Sequence, residues 1–175
     1  SGHVRWLLEQ FEFDFEVVYP ATLDAGNLKA KYDVILFPDG GIPERDAAAG
    51  GPGGGFGGAQ PAPESIPAEY RAHLGRVTVG KTVPQLKAFA EAGGVIVAFG
   101  KSAVLGHHLG LPVSDHLVEV QQDGTERPLP GTKYYIPGSI LSVAVDNTNP
   151  VAFGLEKKVD VFFDENPVMQ LAPNA

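Results

Sequence analysis

The sequence predicts an α/β fold in three layers, in which helices flank a mainly parallel sheet and extra strands follow near the C-terminus. Two observations predict it. Helical and strand-like patterns alternate through the first 113 residues, as they do where crossover helices join parallel strands. Two of the strand-like segments, 33–37 and 95–99, are continuous apolar runs, which is typical of strands buried on both faces. We expect these two strands to lie side by side in the sheet.

The composition favours one globular domain, residues 1–175. Hydrophobic residues make up 43% of the 175 and charged residues 19%, so the chain can bury a core of its own. The net charge of −8 argues against nucleic acid or an anionic membrane as a partner, because both need a basic surface. No apolar run approaches the roughly 18 residues of a membrane span. The absence of cysteine excludes disulfides, thiolate metal sites and cysteine nucleophiles.

The N-terminal part of the chain predicts a helix, a loop and two strands. A helix is expected over 3–12, where apolar residues recur at three- and four-residue spacing. The β-branched and aromatic run at 15–19 predicts a strand, and residues 24–31 predict a polar helical turn or loop. The strand 33–37 is followed by the turn sequence PDGG.

A glycine- and proline-rich stretch interrupts this pattern. Residues 38–67 contain nine Gly, six Pro and five Ala, which together are 20 of 30 positions. Such a segment offers few side chains to bury and loses much backbone entropy on ordering. We therefore expect a flexible surface insertion at about 44–64.

Regular structure is predicted again from residue 82 onwards. Thr82 can cap a helix that Gly93-Gly94 ends, and residues 101–110 are expected to be helical. An Asp123-Gly124 pair predicts a turn. The strands expected in the last third are 117–121, 140–145, 159–163 and 168–171.

Ser102 is the candidate for chemistry. A strand that ends in Gly100, followed by Lys101-Ser102 and a helix, has the order of a nucleophile elbow, which holds a side chain above the strand ends. The second glycine of that motif is missing, and a serine here can equally cap the helix. His107 and His108 follow closely and are the nearest candidate bases.

A ligand pocket is predicted at the carboxyl ends of the two apolar strands, where open α/β sheets usually bind. Its candidate residues are Asp39, Gly40, Gly41, Gly100, Lys101 and Ser102. No metal site is predicted. His116 and Glu119 have the H-x-x-E spacing of zinc ligands, but an alternating strand would place them on opposite faces, and no histidine follows them.

The order of several segments resembles the class I glutamine amidotransferase-like domain that is appended C-terminally to carboxypeptidase A-like zinc peptidases of bacteria. The segments are RWLLE (5–9), FEVVYP (15–20), YDVILFP (32–38), AFAEAGGVIVAFGKSA (88–103), YYIPGSILSVAV (134–145), NPVAFGL (149–155) and VDVFF (159–163). The resemblance implies a flavodoxin-like, three-layer fold. It covers nearly the whole chain outside the insertion.

The resemblance also implies a function. The family's nucleophilic cysteine corresponds to Ser102, and its late catalytic histidine has no counterpart, so the glutaminase triad is broken at two positions. This implies a non-catalytic accessory domain with an interaction, substrate-positioning or stabilising role. Its partner would be a preceding peptidase domain of the same polypeptide, a zinc metallocarboxypeptidase, and zinc would be bound only there.

The start of the chain predicts that it is a fragment. It begins Ser-Gly and runs directly into a helix, whereas the resembled fold has a strand first. Unpaired strand edges are costly, so we expect a segment of this chain, an upstream peptide or a second copy to fill the gap, and a homodimer is one outcome.

Two other functions are open at this point. One is a serine-based hydrolase that uses Ser102 with His107 or His108, and the other is a module that binds a small ligand, a peptide or a carbohydrate. Whether this chain is itself an enzyme is open as well. So is the compartment, since a thiol-free chain suits oxidising and reducing surroundings alike, although an extracellular or periplasmic location is favoured.

Overall fold

The computed structural model describes residues 2–46, 60–164 and 166–172. The chain divides into two compact units. Unit 1 is Ser1–Val113 together with Asn174–Ala175, and unit 2 is Ser114–Pro173. This division does not test the prediction of a single domain, which stays a prediction.

Unit 1 is built around one strand–helix–strand arrangement. Its helices are α1 (Gly2–Gln10), α2 (Pro20–Asp24), α3 (Thr82–Glu91) and α4 (Leu105–His108), and its strands are β1 (Val34–Phe37) and β2 (Val95–Ala98). Four 3-10 turns lie between them, at Leu28–Ala30, Pro63–Ser65, Ala68–His73 and Gly100–Val104. A further strand, β3 (Val113–Asp115), begins at its C-terminal boundary.

Strands β1 and β2 are parallel neighbours, as predicted. Val34 is opposite Val95 and Phe37 is opposite Ala98. Helix α3 precedes β2 and ends where Gly93 takes a φ of +85°, which a residue with a side chain rarely adopts. The amide of Gly94 then bonds back to the carbonyl of Phe89 at 2.9 Å, which turns the chain into β2.

The core of unit 1 lies on one side of this strand pair. Its buried apolar residues are Leu23, Leu28, Ile35, Phe37, Ile42, Val83, Leu86, Phe89 and Leu105. They come from β1, the helices α2 to α4 and the turns between them. Val34 and Val95, by contrast, are each 54% exposed, so the prediction that both strands are buried on both faces is wrong.

Unit 2 consists of short strands in pairs. These are β4 (Val118–Val120), β5 (Glu126–Pro128), β6 (Ser139–Ala144), β7 (Lys158–Phe163) and β8 (Met169–Leu171). Strand β4 pairs with β5 and β6 with β7, both antiparallel, while β8 pairs with β3. Along β6 and β7 half-buried and exposed residues alternate. No described residue of unit 2 is fully buried.

The predicted fold class is wrong. Over the described residues the only parallel sheet has two strands, and most of the other pairs are short and antiparallel, so a three-layer, mainly parallel, flavodoxin-like sheet is not formed. In the described chain, one helical crossover between parallel strands is formed, the one through α3 that connects β1 to β2. Strands β6 and β7 alternate with period two because each presents one face to solvent, which is the antiparallel pattern.

The predicted strand at 15–19 is the main local error. These residues have strand-like composition but no strand is assigned to them, because no neighbour pairs with their backbone. The helix at the N-terminus, the helix from Thr82, the strand at 95–98 and the later strands are confirmed, with their ends shifted by one or two residues. Thr82 is inside the helix, not its cap: its Oγ1 accepts from the amide of Thr78 at 3.0 Å.

The predicted flexible insertion at 44–64 falls largely on residues 47–59, which lie outside the described residues. Its two described ends are held by hydrogen bonds. The carboxylate of Asp46 accepts from the amides of Val79 and Gly80 at 2.6 and 3.0 Å. The side chain of Gln60 bonds to the amide and the carbonyl of Gly75.

Candidate functional site

The residues predicted to form a pocket meet where β1 and β2 end. We call residues 38–42 and 100–102 the corner. The hydroxyl of Ser102 is its centre: Oγ donates to the carbonyl of Pro38 at 2.6 Å and accepts from the amides of Gly41 and Ile42 at 2.8 and 3.2 Å. Ser102 is fully buried. Its hydroxyl therefore closes the turn after β1, and its hydrogen-bonding capacity is used.

A second connection across the corner involves Asp39. Its Oδ1 accepts from the amide of Lys101 at 2.6 Å. Gly100 has a φ of +54°, and a Cβ built on it would lie 2.2 Å from the same oxygen. Glycine is therefore required here for both backbone conformation and space. The predicted pocket residues therefore follow the ends of β1 and β2, and the hydroxyl of Ser102 and Oδ1 of Asp39 are bonded to backbone groups of the corner.

The hydroxyl of Ser102 donates to the carbonyl of Pro38 and not to a histidine. Nε2 of His108 lies 2.9 Å from the carbonyl oxygen of Pro43, so that ring is bonded to the loop after the corner. His107 lies on α4 and is half-buried. A base must reach the proton of the nucleophile, and the proton of Ser102 is directed at a carbonyl. The corner has the strand–turn–helix order of an elbow without an accessible nucleophile.

A large space lies elsewhere in unit 1, and the sequence did not predict it. We call it the trough. It has a volume of about 810 Å³ and lies among α1, β1 and residues 14–18, which we call the extended segment for their strand-like sequence pattern. Val4 and Leu8 of α1, Val17 of the extended segment and the whole length of β1 contribute its walls. No residue of α1 is buried, and Val17 is 44% exposed, so these apolar side chains cover little of one another.

One end of the trough is bridged by a polar contact. Tyr32, just before β1, donates its hydroxyl hydrogen bond to Oε1 of Glu16 in the extended segment. This hydrogen bond raises the pKa of Tyr32, and partial burial and the negative charge of Glu16 act in the same direction. Nearby, Nζ of Lys29 bonds to Oδ1 of Asp33 at 2.7 Å, which lowers the pKa of that carboxyl.

The zinc-like spacing in unit 2 does not produce a site. Nδ1 of His116 lies 3.0 Å from Oε1 of Gln170, whereas Oε2 of Glu119 accepts from Nζ of Lys133 at 2.8 Å. The hydrogen bond and the charge of Lys133 lower the pKa of Glu119. Among the residues that the structure describes, no group of three or more His, Cys, Asp or Glu is arranged to hold a metal ion.

Comparisons with known proteins add no assignment: no family model, no curated protein and no solved structure matches this chain. Within the described part of the chain, no helix combines the length and the apolarity that crossing a bilayer would require.

Proposed function

We propose that this chain is a non-catalytic accessory domain that acts by binding. The observation that carries the proposal is the state of Ser102, the one residue at which the sequence placed a nucleophile. Its side chain is fully buried and its hydroxyl is held by three hydrogen bonds within the corner. Exposing it would leave the amides of Gly41 and Ile42 without their acceptor, which costs about 1–3 kcal/mol for each buried group.

The sequence resemblance supports a more specific version of the proposal. In that version the domain accompanies the peptidase domain of a zinc carboxypeptidase in the same polypeptide and positions substrate, mediates an interaction or stabilises its neighbour. The zinc would belong to that peptidase domain. This version draws on the order of motifs from RWLLE to VDVFF and not on the predicted three-layer sheet.

A hydrolase screen tests the non-catalytic role. Wild type and Ser102→Asn are assayed for glutaminase and esterase activity, since both reactions would use a nucleophile at this position. We expect no hydrolysis above background from either protein. The matched control is Ser142→Asn, at an exposed position on β6. Hydrolysis that Ser102→Asn abolishes and Ser142→Asn retains, in a folded protein, would show that the serine is a nucleophile and overturn the proposal.

A further inference from the structure

We propose that the trough receives one extended, apolar peptide segment of a partner polypeptide, which adds as a strand to the free edge of β1. The proposal rests on the proposed function only in treating the chain as a binding module. It depends on residues that are distant from Ser102 in the sequence, and its test does not involve the corner.

The backbone of β1 provides the first argument. The amides of Val95 and Phe99 donate to the carbonyls of Asp33 and Phe37 at 2.9 and 3.0 Å. In a parallel ladder with this register, every second residue of β1 faces β2, and the residues between them face the other way. The amides and carbonyls of Val34 and Leu36 therefore point away from β2, and both residues line the trough together with the extended segment.

The extended segment provides the second argument, because it also lines the trough. Residues 14–18 are extended in sequence pattern, and within the described chain none of them takes part in a backbone–backbone hydrogen bond. Among the described residues, neither the outward-facing groups of Val34 and Leu36 nor those of residues 14–18 have a backbone partner, and both segments line the trough. A strand added to β1 can bond to its outward-facing groups, whereas a compact small molecule can satisfy only a few of them.

The size of the trough fits such a strand. One residue of a strand occupies about 160 Å³, taken as a rise of about 3.3 Å, a strand spacing of about 4.8 Å and a sheet thickness of about 10 Å. The trough, at about 810 Å³, therefore has room for a strand segment of a few residues, and β1 itself has four.

The walls specify the chemistry of the occupant. Along β1 the lining is Val34, Ile35, Leu36 and Phe37, without a charge, a proline or a bulge of the kind that usually protects an edge. The charged lining residues are Arg5, Lys31, Asp14, Glu16 and Asp33, which nearly balance. The peptide segment that fits the trough is therefore uncharged, and it carries β-branched or aliphatic residues on both faces of the strand.

The extended segment argues against a second folded copy. Two copies could pair edge to edge only if β1 of each reached the other. Residues 14–18 and α1 line the same trough as β1, so a peptide that pairs with β1 has to lie beside them. A flexible peptide can enter this space, whereas β1 of another molecule carries its own α1 and extended segment with it.

Peptide binding provides the test. The probe is an acetylated peptide, VIVAF followed by two lysines, with fluorescein on the last lysine, and binding is followed by fluorescence polarisation. Its matched control carries N-methyl groups on two consecutive central amides, so that neither edge can pair. Val34→Lys is compared with Val95→Lys, because both valines are 54% exposed and only Val34 lines the trough.

We expect saturable binding of the probe, weakened at least about tenfold by N-methylation and by Val34→Lys, and changed less than about twofold by Val95→Lys. Hydrogen exchange on wild type gives a second measurement that needs no variant: the probe should slow exchange of the Val34 and Leu36 amides. Equal binding of the N-methylated peptide, equal effects of the two lysine variants, or no saturation below about 1 mM would overturn the proposal. A stable dimer that Val34→Lys alone dissociates would also overturn it, because the occupant would then be a second copy.

Discussion

The polar groups at the carboxyl end of the β1–β2 pair are hydrogen-bonded within the chain, whereas those at the free edge of β1 have no backbone partner among the described residues. At the corner, the hydroxyl of Ser102 and the carboxylate of Asp39 bond to backbone amides of the neighbouring turn within the chain. At the free edge, the amides and carbonyls of Val34 and Leu36 point away from β2, and among the described residues neither they nor residues 14–18, which also line the trough, have a backbone partner.

This difference indicates where a partner would gain free energy. A ligand at the corner would have to replace hydrogen bonds that already exist, so little is gained on binding. A strand at the free edge would replace only water. Carboxyl ends of strands are the usual binding place in open α/β sheets, but here Ser102 and Asp39 already bond to backbone groups at those ends. In this two-stranded sheet, the outer edge of β1 therefore offers a partner more available backbone groups than the corner does.

The largest expected effect is at the corner. Ser102→Ala removes the acceptor of the Gly41 and Ile42 amides and the donor to the Pro38 carbonyl. We expect the free energy of unfolding to fall by about 3 kcal/mol, because these groups cannot all reach water. Urea unfolding followed by circular dichroism measures it. Ser142→Ala on the exposed face of β6 should change the value by less than about 0.5 kcal/mol. Equal effects of the two substitutions would mean that the corner is not closed by Ser102.

A smaller effect is expected at Gly100. Gly100→Ala forces a side chain into a left-handed conformation and against Asp39, whose carboxylate cannot move without losing the amide of Lys101. We expect a loss of about 2 kcal/mol in the free energy of unfolding. Gly110 is the matched control, since its φ is +72° and nothing lies near its missing Cβ. Gly110→Ala should cost about 1 kcal/mol, from backbone strain alone.

The difference between the two glycines isolates the packing of the corner. If Gly100→Ala and Gly110→Ala have the same midpoint of thermal unfolding, Asp39 yields easily and the corner is looser than its hydrogen bonds indicate. A pocket there would then become reasonable again. A larger cost at Gly100 supports the contrast with the open edge.

Local patterns in the sequence predicted much of the backbone. The apolar runs identified β1 and β2 as neighbours, and Gly93-Gly94 identified the end of α3, because both are set by residues close in sequence. The run at 15–19 was predicted as a strand and is not one. A strand requires a neighbour to pair with its backbone, and the presence of that neighbour cannot be seen in the run itself.

The burial of the predicted site was not visible in the sequence. The sequence placed Asp39 and Ser102 after the ends of two neighbouring strands, but the burial and the bonding of Ser102 depend on how the turn after β1 folds over it. The trough was not predicted at all. A space forms where segments do not pack against one another, and neither a residue type nor a spacing in the sequence indicates where that happens.

The smallest expected effect concerns the bridge over the trough. Tyr32 donates to Glu16, and this hydrogen bond holds the pKa of the phenol above its ordinary value of 10.0 in the folded chain. A group whose pKa is raised by folding contributes stability that is fully present below the unfolded pKa. That contribution is lost as the pH rises through the folded pKa.

Wild type should therefore exceed Tyr32→Phe in free energy of unfolding by about 0.5 kcal/mol at pH 7 to 9, with the modest size expected of a hydrogen bond at the surface. The difference should shrink above about pH 10, as the tyrosine ionises and its hydrogen bond to the carboxylate is lost. Urea unfolding of both proteins across this pH range measures it, with Tyr135→Phe as the control at an exposed tyrosine in unit 2. A difference that stays constant to pH 11 would show that the bridge is not formed in solution. The extended segment would then be free to move relative to β1, and the trough would accept occupants wider than a single strand.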